Sequence, residues 1–219
     1  MKPDGVTAVI FDMDGLLLDT ERLHQQAYGL ALAEMAQPPD PQLFLDLIGL
    51  PEPAGDAVLR QRLPRHLDLL RFKSVWAANF AKMIADHVPL KPGVSQVLDS
   101  LAQTGIPLAV ATSTKRSAAT GLLHKAAILD RFAVLVCGDE VVQGKPAPDI
   151  YLTAASALGV CPSHCVAFED SSNGVRAAVA AGLITVQVPD LVAPPTDIIA
   201  LGHVIAPDVL TGARRVGCL

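Results

Sequence analysis

The sequence predicts an α/β protein, a doubly wound parallel sheet into which an all-helical domain is inserted. Three observations carry this reading. Short apolar runs with the character of buried strands recur at residues 6–11, 107–111, 133–137, 165–168 and 184–188, with a shorter one at 203–206. From residue 92 onward these runs alternate with helix-like stretches, the pattern of successive β-α units. Between the first and second runs about 90 residues intervene, where a β-α connection ordinarily takes a few residues and one helix.

The elements follow in order. The first run ends abruptly in Asp12, Asp14 and Gly15. The intervening segment is helical in pattern: Thr20 can cap a helix reaching about Ala36, and Pro41 fits the first turn of another ending near Gly49. A longer pattern over 67–87 offers Leu70, Val75, Phe80, Met83 and Ile84 as apolar positions. Residues 16–92 therefore read as a helical cap domain, and 1–15 with 93–219 as the α/β core. The attachment points are 15–20 and 88–93, the latter rich in proline and glycine as a linker should be. Core helices are expected at 94–103, 117–127, 150–158 and 172–180. Gly105, Gly159 and Gly182 stand just past three of them, where C-terminal caps favour glycine.

The chain has 219 residues, 51% hydrophobic and 18% charged, enough to bury a substantial core. A net charge of −5 without any basic run disfavours nucleic acid or an anionic membrane as partner. No apolar stretch approaches the roughly 18 residues of a membrane span, and the first residues lack a signal-peptide cleavage pattern. The four cysteines, Cys137, Cys161, Cys165 and Cys218, are too few for a disulfide framework and point to reduced thiols and a cytoplasmic protein. Cys161 and Cys165 have no second ligand pair at zinc-site spacing, so packing explains them. A monomer or weak homodimer is expected.

The chemistry gathers at strand ends. Side chains two apart on a strand share a face, so Asp12 and Asp14 start out together at the carboxyl end of the first strand, where open α/β sheets bind ligands. Two adjacent carboxylates call for a cation, a shared proton or a division of labour. The second strand is followed by Thr112, Ser113, Thr114 and Lys115, whose hydroxyls and free amides suit phosphate oxygens. After the third comes Lys145, set between a glycine and a proline that limit its backbone. After the fourth come Glu169 and Asp170, a second acidic pair. Two strand ends thus offer four carboxylates beside a lysine and hydroxyls. All-oxygen ligation suits Mg2+, and Mg2+, Lys145 and Thr112 together could neutralise a phosphoryl group.

Four segments, FDMDGLLLDTE (11–21), ATST (111–114), GKPAPD (144–149) and FEDSSNG (168–174), resemble in order the four motifs of the haloacid dehalogenase (HAD) superfamily. The likeness spans nearly the whole chain and is strongest to the β-phosphoglucomutase-like phosphatases, which carry a small helical cap between the first and second motifs on a HAD-like, Rossmannoid core. The resemblance implies roles. Asp12 is the nucleophile that forms a phosphoaspartyl intermediate, and Asp14 the general acid and base. Thr112, helped by the Ser113 amide, hydrogen-bonds the phosphoryl group, and Lys145 holds nucleophile and phosphoryl in register. Asp12, the backbone carbonyl of Asp14 and Asp170 ligate Mg2+, with Glu169 acting directly or through water.

The expected function is a magnesium-dependent phosphatase acting on a small phosphorylated metabolite such as a sugar, polyol or nucleotide phosphate. The cap would choose the leaving group, with His24 and Glu52 as candidate substrate contacts. Two relatives of the same scaffold are weighed against it. A phosphomutase of the β-phosphoglucomutase type needs cations on the cap for a distal phosphate, yet residues 48–52 are apolar and acidic, although His24 matches a position the mutase uses. A dehalogenase lacks the second aspartate, because a halide leaving group needs no proton, so Asp14 argues against it. A catalytically silent binding protein is disfavoured by the intact set Asp12, Asp14, Thr112, Lys145 and Asp170.

Overall fold

The computed structural model describes residues 5–50 and 52–219. Six parallel strands, β1 (Ala8–Phe11), β2 (Leu108–Thr112), β3 (Val134–Cys137), β4 (Cys165–Glu169), β5 (Ile184–Gln187) and β6 (Val204–Ile205), form one sheet in the order β3-β2-β1-β4-β5-β6. The chain winds outward from β1 in one direction, then returns and winds outward in the other. The connection direction therefore reverses between β1 and β4, which opens a crevice at the carboxyl ends of the central strands. The register brings those ends level: Phe11 pairs with Phe168 on one side and with Val110 on the other. The Asp12 amide extends the ladder by donating to the Phe168 carbonyl at 2.9 Å.

Strands β1, β2 and β4 are buried along their whole length, which explains their unbroken apolar sequences. One sheet face packs Ile10, Ala109, Ala111 and Ala167 against α7 (Asp149–Ala157) and α8 (Ser172–Ala180). Helices α5 (Val94–Thr104), α6 (Arg116–Lys125), α9 (Thr196–Ile199) and α10 (Val209–Arg215) complete this first compact unit, which holds the chain through Asp19 together with Val88–Leu219.

The second unit, Thr20–His87, is all-helical: α1 (Thr20–Glu34), α2 (Pro41–Leu47), α3 (Glu52–Arg62) and α4 (Leu69–Met83). Asp40 and Asp68 cap α2 and α4 by accepting the amides of Leu43 and Arg71. An aromatic cluster of Tyr28, Phe44, Phe72 and Trp76 fills the space between α1, α2 and α4.

The boundaries expected at 16 and 92 both fall inside the first unit. The two linkers bind each other there: Asp19 donates its amide to the Pro89 carbonyl at 2.9 Å and Lys91 donates to Leu17 at 3.0 Å. The Lys91 ammonium also pairs with Asp190 and lies 3.6 Å from Asp19. All four cysteines are free thiols. Among the described residues, no helix is long and apolar enough to cross a membrane.

Candidate active site

Asp12 sits one residue past β1, 7% exposed. Its Oδ1 accepts from the Lys145 ammonium at 2.5 Å. Lys145 comes from the loop before α7, and its other donors reach Glu169 Oε1 at 2.5 Å and the Ala111 carbonyl at 3.0 Å. Glu169, the last residue of β4, is wholly buried. Strand ends β1, β2 and β4 and the loop after β3 therefore converge on one ammonium.

Asp14 has different surroundings. Its Oδ2 accepts from the Thr114 hydroxyl at 2.8 Å. Thr112 is buried, and its Oγ1 accepts the Thr114 amide at 3.1 Å, which leaves the hydroxyl proton available to an incoming oxygen. Ser113 is exposed, and its carbonyl lies against Gly138, where a Cβ would stand 2.2 Å from the Ser113 oxygen.

The electrostatics are those of a negative pocket with one internal cation. Burial pushes the Asp12 carboxyl up to about 8 against the pull of Lys145, and the neighbouring charges of Glu169 and Asp14 add to the rise. Burial works against the charge on Lys145 too, but Asp12 and then Glu169 outweigh it and hold the ammonium above the usual lysine range. Oxygens of Asp12, Glu169 and Asp170 lie within 4.8 Å of one another. Carboxylate oxygens alone, crowded and short of positive charge, make a donor set that fits a hard divalent cation.

Thr114, expected to meet phosphate oxygens, instead donates its hydroxyl to Asp14, and two further residues in this neighbourhood carry no sequence expectation: Tyr151, whose hydroxyl donates to Glu169 Oε1 at 2.6 Å, and Gln187. Gln187, at the end of β5, donates to the Asp170 carbonyl at 3.1 Å while its Oε1 meets His203 Nε2 at 2.9 Å. The only sequence signal for Gln187 is a polar residue at the buried end of an apolar strand.

The cap candidates belong to the second unit. His24 stacks on Phe80, ring centroids 3.6 Å apart, with its backbone carbonyl accepting from the Trp76 indole at 3.0 Å. Its ring borders a depression of about 280 Å³ shared with Glu21, Phe44, Ile48, Leu50 and Trp76. Glu52 begins α3, and its side chain lies outside the described residues.

Comparison with known proteins gives a consistent picture. A family model described as a haloacid dehalogenase-like hydrolase matches residues 6–182. The chain is 38% identical over 176 residues to the "Phosphorylated carbohydrates phosphatase" of Thermotoga maritima, covering 80% of this chain and 82% of that protein. It is 31% identical over 191 residues to the "Beta-phosphoglucomutase" of Bacillus subtilis, covering 83% and 82%. Among solved structures it resembles CbbY from Rhodobacter sphaeroides in complex with phosphate, with a TM-score of 0.74, 28% identity and coverage of 93% and 94%.

Proposed function

We propose that this chain, which belongs to the haloacid dehalogenase-like hydrolase family, cleaves the phosphomonoester of a small sugar, polyol or nucleoside through a phosphoaspartyl intermediate with Mg2+ as cofactor. One observation supports this most: two carboxylates two residues apart have different surroundings. Asp12 is buried against an ammonium, whereas Asp14 accepts from the Thr114 hydroxyl. Such division separates a nucleophile from an acid–base group.

In this reading an Asp12 oxygen attacks phosphorus and the ester P–O bond breaks, while Asp14 protonates the leaving oxygen. Asp14 then takes a proton from water as that water attacks phosphorus, which frees Asp12 and inorganic phosphate. The Thr112 hydroxyl and the Ser113 amide hold the phosphoryl oxygens, and Lys145 keeps Asp12 aimed. Asp12, Asp170 and the backbone carbonyl of Asp14 would hold Mg2+, which supplies positive charge to the phosphoryl oxygens.

Residues of the second unit are proposed to choose the leaving group: the depression beside His24 has Glu21 and His24 as polar members, and among the described residues no lysine or arginine lines it. A neutral, hydroxyl-bearing group suits such a lining better than a second phosphate, which favours hydrolysis over mutase chemistry. The name of the Thermotoga relative agrees with a carbohydrate substrate.

The test is phosphate release from a generic aryl phosphate. Wild-type protein should turn over with Mg2+ and stop with chelator. Asp12→Asn should lose at least about a hundredfold in kcat, roughly 3 kcal/mol of barrier. An Asp12→Asn protein that kept more than that, with the wild type active, would overturn the covalent route.

A further inference from the structure

We infer that Tyr151 is a positioning residue for the reaction, fixing Glu169 as the buried counter-charge that aims Lys145 rather than as a metal ligand. The inference rests on the phosphatase reading above. Its basis is a complete pairing of donors and acceptors.

A carboxylate offers about four lone-pair directions, and all four at Glu169 are taken. Oε1 accepts from the Tyr151 hydroxyl at 2.6 Å and from Lys145 at 2.5 Å. Oε2 accepts from the Ser171 hydroxyl at 3.1 Å and the Ser171 amide at 3.3 Å. The carboxyl group also fills the open face of Gly174, where a Cβ would stand 1.9 Å from it. Nearness to Asp12 and Asp170 alone would make Glu169 a ligand, but its oxygens already point elsewhere.

Lys145 is equally committed. Its three donors meet Asp12, Glu169 and the Ala111 carbonyl, its side chain is 5% exposed, and the ammonium lies 5.2 Å from the centroid of the Tyr151 ring. Tyr151 therefore touches both members of the ion pair, with its hydroxyl on one and its ring face toward the other. It is itself fully buried on α7, the helix that follows the Lys145 loop. Without the hydroxyl, Glu169 gains a free lone pair in a buried site and the freedom to turn, and Lys145 loses one of its fixed supports.

The experiment uses the full-length protein with Tyr151→Phe, and Tyr28→Phe as control. Tyr28 is the other buried tyrosine, in the second unit, and among the described residues its hydroxyl has no hydrogen-bond partner. Leaving one lone pair of a buried carboxylate without its donor costs about tenfold or more. The kcat for aryl phosphate should fall by about that factor, with KM essentially unchanged. In metal-free protein, acetylation of Lys145 by acetic anhydride, followed by peptide mass spectrometry, should speed up several-fold. Lys91, the paired lysine elsewhere in the same unit, should keep its wild-type rate. Tyr28→Phe should change none of these. Wild-type protein that releases no phosphate defeats the phosphatase reading. Active wild type with Tyr151→Phe equal to it in kcat or in Lys145 acetylation defeats this inference alone, as does a parallel rise at Lys91, which would mark general loosening.

Discussion

At the scale of single residues, the site depends as much on missing atoms as on present ones. Gly138 lies where a Cβ would come 2.2 Å from the Ser113 oxygen and 2.8 Å from its carbonyl carbon. Both are backbone atoms, so an added methyl cannot be accommodated by a rotamer change. Gly138→Ala should push the 112–114 segment away and disturb the hydrogen bond from the Gly138 amide to Thr114, 3.2 Å long. Overpacking of this kind costs about 1–3 kcal/mol. The expected outcome is lower thermal stability and a fall in kcat of roughly tenfold, about 1.4 kcal/mol, while Mg2+ affinity by calorimetry holds because Asp12 and Asp170 follow other strands. Loss of Mg2+ binding with intact stability would contradict this assignment. The same scale shows what a sequence can and cannot disclose. Asp12, Lys145 and Glu169 were legible because a charged residue at the end of a buried strand or in a glycine–proline loop has no packing reason to be there. Tyr151, Gln187 and the bond from Thr114 to Asp14 were not, because hydroxyls and amides near helix starts and strand ends usually cap or pack, and their partners lie far along the chain.

At the scale of elements, the core strands and helices were read to within a residue or two, and helix ends were legible where glycine marks them. Gly105 follows α5 with φ +68°. Where glycine is absent the reading overran: helices expected to reach Ala36 and Ala127 stop at Glu34 and Lys125. Ala36 and Ala127 have φ of +55° and +56°, so alanine occupies the left-handed position that glycine would ordinarily fill. A Cβ there costs roughly 1 kcal/mol. Ala127→Gly should therefore raise stability to denaturant by about that amount without changing kcat, and an unchanged or lower midpoint would show the strain to be relieved otherwise. Helix α3 went unread for the opposite reason. Pro53 and Gly55 near its start imitate a loop, and Leu59 is a rare apolar side chain that it buries. Helices α9 and α10 are too short, at 4 and 7 residues, for a periodicity to show. In α10, Gly212 packs so closely on β5 that a Cβ would stand 2.7 Å from Val186.

At the scale of the whole molecule, the sheet order assembles the site and also loads it with charge. The alternation of runs and helices made the parallel sheet legible, but not the order of its strands, because spacing along the chain does not say on which side of β1 each later strand adds. That order matters: with β1 between β2 and β4, the Asp12, Thr112 and Glu169 positions end up at one crevice. It also gathers Asp12, Glu169 and Asp170 at one place, where Lys145 pairs with Asp12 and Glu169. Folding therefore concentrates negative charge in a place with little water to screen it, and the raised Asp12 carboxyl records the cost. A divalent cation that binds only the assembled crevice must stabilise the folded core by mass action, by about 2.7 kcal/mol at a hundred times its dissociation constant. Calorimetry of wild-type protein should show a higher unfolding temperature in Mg2+ than in chelator. The difference should vanish in Asp170→Ala, which removes the third carboxylate of the cluster, and it should persist in Tyr28→Phe. Because the readout is unfolding rather than turnover, it tests the cation site separately from the chemistry. Equal unfolding temperatures with saturating Mg2+ and with chelator would mean that Lys145 alone balances the crevice, and the metal assignment would fall even if phosphate were released.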